Sequence, residues 1–424
     1  MREIKREELI DFQIVHMDMV GDIYEYREKI IRIINKKFTK HTRRLLECGG
    51  LIEELVKNGL FIETWISDLY DVDADIILEH RKISTKQHYS QWSFEMMKDA
   101  AMLVLRINSL CSKYGYELKD CHQGNIIFDG IRPIWIDFGS IIKKQDKNSW
   151  IAQNEFIKCY YLPLILWSKG YDKMINSLYK SSTNIDFEEM VSVNFCIPPV
   201  LNSKVLSVIK NRYENLSVEK MYDKIKSLMV KKKTFWGKYQ DSYWDKSNER
   251  FEYEIDWIIR QGENIKSMVE IGANQGVFSY FVAKRTGVKK IIATDYDQNA
   301  VDAMYKKLKH EKIEKITPIV MDFVWASSDI LQNCQSELLV ANALTHHLLL
   351  TQGMTIKAMV EKFSNLTSKY IMVEFMPKGV NKAYVPKWYT KEWFIKELNK
   401  KFEVIEVNNS VKGRVIIIGK KKSM

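Results

Sequence analysis

The chain has 424 residues, 46% of them hydrophobic, and a formal charge of +11. That length exceeds what one core usually organises, so two domains are expected. A mean hydropathy of -0.28, with no run of the roughly 18–20 apolar residues a spanning helix needs, excludes a transmembrane helix.

The opening Met-Arg-Glu-Ile-Lys-Arg-Glu-Glu lacks the apolar core of a signal peptide. Six cysteines, at 48, 111, 121, 159, 196 and 334, form no CxxC pair. That spacing suits neither a zinc cage nor a disulfide framework, and no metal site is expected. A reducing cytoplasm is the expected location. Lysines on solvated helix faces account for the positive charge. The densest clusters, Lys231-Lys232-Lys233 and Lys420-Lys421-Lys422, are not interleaved with aromatics along a stripe, so nucleic acid is not an expected partner.

Residues 26–37, 45–56 and 94–110 carry apolar side chains at three- and four-residue steps, which predicts helices. Residues 59–66 and 74–80 read as two strands. Residues 126–128 and 133–138 read as a hairpin around Asp129-Gly130, a favoured turn dipeptide. Helical character returns at 150–179. A polar stretch, 181–233, follows with Pro198-Pro199, and the domain boundary is placed near its end: 1–233 and 234–424.

A helix over 249–261 then opens a regular strand–helix alternation. Strands are expected at 267–271, 290–294, 316–320, 337–341, 370–375, 402–408 and 415–419, the last two with no helix between them. Alternation predicts a mostly parallel sheet covered on both faces, with one antiparallel addition. Seven strands ending in a hairpin resemble the Rossmann-like domain of class I S-adenosylmethionine (SAM)-dependent methyltransferases.

The first of these strands runs into Glu270-Ile271-Gly272-Ala273-Asn274-Gln275-Gly276. Gly272 and Gly276 let the backbone approach a ligand at the turn into the next helix. Asp295 lies 19 residues beyond Gly276, at the end of the second strand, where an acid can accept hydrogen bonds from both ribose hydroxyls of an adenosine. Tyr296 follows it, and Asp297 is placed to cap the next helix. NAD enzymes use the same logic but want G-x-G-x-x-G; the pattern here is E-x-G-x-x-x-G, and SAM has no pyrophosphate. Glu270, Gly272, Ala273, Asn274, Gly276, Asp295 and Tyr296 are therefore cofactor candidates. Asp322 and Phe323 end the third strand and join them as candidates for the adenine end. Asn342 follows the fourth strand.

Ala343-Leu344-Thr345-His346-His347-Leu348 also follows that strand, at the switch point where α/β sheets bind ligands. A neutral imidazole there is a suitable general base for a hydroxyl acceptor, and either His346 or His347 is the candidate. Glu374 ends the fifth strand in Glu374-Phe375-Met376-Pro377-Lys378, opening on the same edge near the acceptor. The glycine turn, Asp295 and Asp297, the His-His segment and the Glu-Phe-Met-Pro-Lys segment together resemble a bacterial family of SAM-dependent methyltransferases related to host-specificity nodulation proteins. The resemblance spans residues 236–421. It implies methylation of a small molecule or glycan.

In the first half, Asp120 and Asn125 have the D-x-x-x-x-N spacing of a kinase catalytic loop, and Asp137-Phe138-Gly139 copies its DFG element. This half resembles the α+β catalytic core of protein kinases and aminoglycoside phosphotransferases. That resemblance implies Asp120 as base, with Asn125 and Asp137 as magnesium ligands, if the loop is active. No G-x-G-x-x-G precedes it and no strand lysine with a partner Glu is evident, which favours a degenerate module. His122 inside the loop is read as a local hydrogen-bonding group. The aromatic run from Phe235 to Trp244 is placed either as a lid over the methyl transfer, a sugar-stacking surface, or interface packing.

The resulting expectation is a SAM-dependent methyltransferase acting on an oxygen. One alternative is a bifunctional kinase–methyltransferase using Mg-ATP. The other is an RNA-binding methyltransferase, weakened because no Asn-Pro-Pro-Tyr-type segment follows the fourth strand.

Overall fold

The computed structural model describes residues 2–11, 18–47, 49–83, 85, 87–146, 149–172, 175, 216–230, 233–244, 249–379 and 385–422. The chain divides into two compact units: residues 1–90, 96–128 and 133–232, then residues 91–95, 129–132 and 233–424. Among the described residues no helix is long and apolar enough to cross a membrane.

In the first unit, β1 (Ile10–Asp11), β2 (Gly21–Tyr26), β3 (Lys29–Ile34), β4 (Thr64–Ile66) and β5 (Ile77–His80) form an antiparallel sheet in the order β1-β2-β3-β5-β4. Residues 26–37, expected as a helix, are instead the turn and second strand of a hairpin, followed by a 3-10 turn at Lys36–Phe38. Ile30, Ile31, Ile33 and Ile34 satisfy a helical spacing, but they are β-branched and pack well on a pleated sheet. Arg27 and Glu28 both take positive φ, 48° and 67°, as the tight turn between right-twisted strands demands. The stretch 45–56 is likewise not one helix. Thr39–Leu45 and Leu51–Lys57 are separate, with Gly49 at positive φ between them.

The long helix α1 (Phe94–Lys113) follows, then the paired strands β6 (Ile126–Asp129) and β7 (Arg132–Trp135). Tyr116–Leu118 pairs antiparallel with Ile141–Lys143, bracketing the loop that holds Asp120 and Asp137. Helix persists from Gln153 to Ser168, with a π-helical turn at Ile157–Tyr161. Pro198-Pro199 and most of the polar stretch lie outside the described residues. Its later part contains a helix, Val218–Ser227, started by Ser217 accepting a hydrogen bond from the Lys220 amide.

The second unit follows its expected alternation. After α2 (Glu249–Gln261) come β8 (Ser267–Ile271), α3 (Val277–Arg285), β9 (Lys290–Asp295), α4 (Gln298–Glu311), β10 (Ile316–Val320), β11 (Ser336–Ala341), α5 (Ile356–Leu366), β12 (Thr367–Phe375), α6 (Lys391–Leu398), β13 (Phe402–Asn408) and β14 (Val415–Lys421). The seven strands lie in the order β10-β9-β8-β11-β12-β14-β13. β8 to β12 are parallel, and β14 runs antiparallel between β12 and β13. Central strands such as Leu338-Leu339-Val340-Ala341 are apolar on both faces because helices cover both. The chain order reverses between β8 and β11, so their carboxyl ends open a crevice.

The turn from β8 into α3 has its shape forced by sterics. Gly276 caps α3 at φ 78°, and a Cβ there would lie 2.7 Å from the sulfur of Met304. Gly272 has φ 68°, and a Cβ there would meet Leu344 at 2.9 Å. We predict that Gly276→Ala lowers stability by at least about 1–2 kcal/mol, the cost of a left-handed backbone for an L-residue. A wild-type denaturation midpoint for this variant would show that the turn needs neither the conformation nor the space.

Candidate functional site

At the end of β9, Asp295 is buried and its two oxygens accept from two backbone amides. The amide of Asn274 donates to Oδ2 at 2.8 Å, and that of Asp297 to Oδ1 at 2.8 Å. Burial pushes the carboxyl up to about 6, with these amides pulling the other way. Asp297 in turn caps α4, accepting from the Ala300 amide at 2.9 Å. Glu270 is wholly engaged inside the domain. Its Oε2 accepts from the amide and hydroxyl of Ser279 at 3.1 and 2.5 Å, and burial raises it to about 7. Glu270 thus ties β8 to the first turn of α3.

Several buried polar atoms around the glycine turn lack a partner: Oδ1 of Asn274, both side-chain ends of Asn342, and Nδ1 of His346. An unsatisfied buried polar atom is costly, so in a folded protein a water or a ligand completes it. Ala343, between Asn342 and the histidines, is held at φ 48°, an uncommon conformation for a residue with a side chain. The histidines then enter a π-helical turn, His347–Thr351. His346 is buried, and burial, with His347 adding, brings its imidazole down to about 4. His347 is half-buried, lowered by burial, and meets Trp236 edge-on with ring centroids 6.0 Å apart.

The remaining sequence candidates divide. Tyr296 is exposed beside Asp295, and Asp322 is exposed at the end of β10. Phe323 is buried and packs on Phe363 in the sheet's core. Ala273 is buried, its amide donating to the Thr294 carbonyl. Glu374 is almost fully buried, with both oxygens held by arginines. Arg250 reaches Oε2 at 2.7 Å and Oε1 at 3.3 Å, and Arg414 reaches Oε2 at 2.7 Å. A carboxylate so clamped holds its two arginines in place.

Sequence reasoning missed both arginines, which come from α2 and from the turn before β14. It also missed Gln275. That side chain donates to the Gly237 carbonyl and to Asp241, each at 2.8 Å, and accepts from the Trp244 indole at 3.1 Å. Asn274 donates to the Trp236 carbonyl at 3.0 Å, and Thr234 donates to Asp297 at 2.9 Å. The aromatic run is therefore strapped directly onto the glycine turn. A buried Gln between two glycines was the one local signal.

The first unit holds a separate cleft of about 480 Å³. Asp120, Asn125 and Asp137 line it together, with His122 and Gly124. Asn125 donates to Asp120 at 2.6 Å, and Asp137 accepts from the Gly139 amide at 3.0 Å. Burial, then the Asp137 charge, raises the Asp120 carboxyl. Arg32 of β3, fully buried, is ion-paired with Asp18 and lies 3.4 Å from Asp137. Ile23, Ile30, Ile62, Ile83, Ile127 and Ile136 give an aliphatic part of the lining, and His80, Arg81, Lys82 and Lys119 add a polar part.

Residues 253–400 match the family model described as Ribosomal protein L11 methyltransferase (PrmA). The chain is 22% identical over 407 residues to nodulation protein NoeA of Rhizobium meliloti (strain 1021), covering 85% of this chain and 84% of that protein. A SAM-dependent methyltransferase structure from Aquifex aeolicus covers 45% of this chain and all of its own, at TM-score 0.35 and 14% identity. The bifunctional kinase–methyltransferase WbdD covers 43% of this chain and 42% of its own, at TM-score 0.33 and 14% identity. The glycine turn of β8 thus lies in a SAM-dependent methyltransferase domain of the PrmA type, which occupies the C-terminal half of a protein related to NoeA.

Proposed function

We propose that the second unit transfers a methyl group from SAM to an oxygen of a small molecule or glycan. The observation that carries this reading is the group of buried, unpartnered polar atoms on Asn274, Asn342 and His346 around the glycine turn. Gly272, Ala273 and Gly276 would let the cofactor approach the backbone, Asp295 would accept from its ribose, and Glu270 would keep the turn in place. Asn342 and Asp322, with Tyr296 nearby, would complete the contact. SAM supplies an activated methyl group. The chain therefore needs to bind and align the acceptor, exclude water and accept one proton. The strap over residues 234–244 serves the exclusion. His346, uncharged at neutral pH, serves as base.

Calorimetric titration with SAM tests the cofactor half of this reading. Asp295→Ala is expected to weaken SAM binding at least about tenfold, the loss of a charge-assisted hydrogen-bonding group. Wild-type affinity is expected to fall as pH drops through about 6, because there Asp295 gains a proton and loses its charge. Undiminished affinity in the variant would remove Asp295 from the site.

With an acceptor found by screening small molecules and glycans, His346→Asn is expected to lower kcat about 10²–10⁴-fold while SAM still binds. At saturating SAM, the acid limb of kcat/KM for the acceptor is expected near pH 4 and not near 6.5, since activity needs the neutral ring and is lost as pH falls through its pKa. A limb near 6.5 would assign the base elsewhere.

A second reading is favoured by the first-unit cleft: a kinase-like module, with the whole protein a bifunctional kinase–methyltransferase. The aliphatic lining suits a purine, while Asp120, Asn125 and Asp137 are the oxygen donors a magnesium–phosphate group would use. Arg32 supplies a strand cation beside Asp137. Titration with Mg-ATP is expected to show binding that Asp137→Ala abolishes. No ATP response would leave the first unit a degenerate scaffold.

A further inference from the structure

Four ionisable side chains converge beside the histidine loop. Arg250 and Glu254 lie one helical turn apart on α2, Glu374 ends β12, and Arg414 precedes β14. The Thr345 hydroxyl donates to the Glu374 carbonyl at 3.4 Å, which ties this cluster to the loop carrying His346. Glu254 is fully buried, and burial, with Glu374 nearby, pushes its carboxyl well above the usual range. Its Oε1 has no partner. One carboxylate, Glu374, bridges both guanidiniums directly.

The arginines also keep unspent donors. Arg250 uses Nε and Nη2, and Arg414 uses Nη1, on Glu374 and the Met376 sulfur. Each guanidinium carries five N–H groups, so several stay free on side chains that are 21% and 23% exposed. A carboxylate that fixes two arginine forks in place pre-organises them, and planar forks are the groups that recognise carboxylate and phosphate.

We propose that Arg250 and Arg414 form an anion subsite that anchors a carboxylate or phosphate group of the methyl acceptor beside His346. The assignment rests on the methyl-transfer reading of this site, and it narrows the acceptor class to anionic molecules. Glu374 is then a positioning residue that aims the two forks.

The test is calorimetric titration of the full chain with inorganic phosphate, at ionic strength held constant with chloride. It is run with and without saturating S-adenosylhomocysteine, on wild type, Arg414→Gln and Arg414→Lys. Phosphate is expected to bind in both conditions, and about tenfold more weakly to Arg414→Gln, as for one lost charge-assisted contact. Arg414→Lys, which keeps the charge but loses the fork, is expected to fall between and decides the matter should the Gln variant not fold. Equal phosphate affinity in wild type and the folded variants would overturn the subsite, as would no phosphate binding at all. Competition between phosphate and S-adenosylhomocysteine would overturn it too, assigning the arginines to the cofactor's own carboxylate. Failure of the chain to bind S-adenosylhomocysteine would sink the methyltransferase reading separately, with the phosphate series still deciding the anion subsite.

Discussion

The Asp295 carboxylate joins parts of the chain that are otherwise independent. It sits at the end of β9, takes the amide of Asn274 on one oxygen and that of Asp297 on the other, and so clamps the glycine turn to the start of α4. Burial of an ionised acid is costly without such donors, and two backbone amides offset much of that cost. The clamp in turn lets Gly272 and Gly276 hold their left-handed conformations, since the chain on both sides is fixed. Gly272, Ala273, Gly276 and Tyr296, proposed above as cofactor contacts, all lie within a few residues of this clamp.

Charge is arranged in opposite senses in the two units. In the first, one buried arginine, Arg32, stands between two carboxylates, Asp18 and Asp137. In the second, one buried carboxylate, Glu374, stands between two arginines. Removing a single partner from such a set typically costs about 3–5 kcal/mol, because it strands a buried charge. Neither arrangement follows from stability alone, since apolar residues of similar volume would often do as well. Both stand beside groups with catalytic candidates: Asp120 in one, His346 in the other.

Much of the second unit was legible in the sequence because its signals are local. Parallel strands buried on both faces read as short apolar runs, and each of the seven expected strands is present with small shifts at its ends. The helix expected at 26–37 failed because isoleucines at 30, 31, 33 and 34 fit both periods, and only pairing with neighbouring strands decides between them. Arg32 went unrecognised for a related reason. With its segment taken as helix, no strand was available to present a cation. Arg250, Arg414 and Glu374 are 124 and 40 residues apart in the chain, and no spacing rule links them. Gln275 showed its role only once residues 237–244 folded back over it.

That strap bears on where the methyltransferase domain begins. The family match starts at residue 253, yet the glycine turn is fastened by residues 234–244, upstream of it. A fragment begun at residue 253 and run on through β14 would keep the whole sheet and the glycine turn. It would also strand the Gln275 amide in a setting built to satisfy both of its ends and strip the cover from His347. The smallest piece of this chain able to keep the glycine turn fastened therefore begins about twenty residues before the family match.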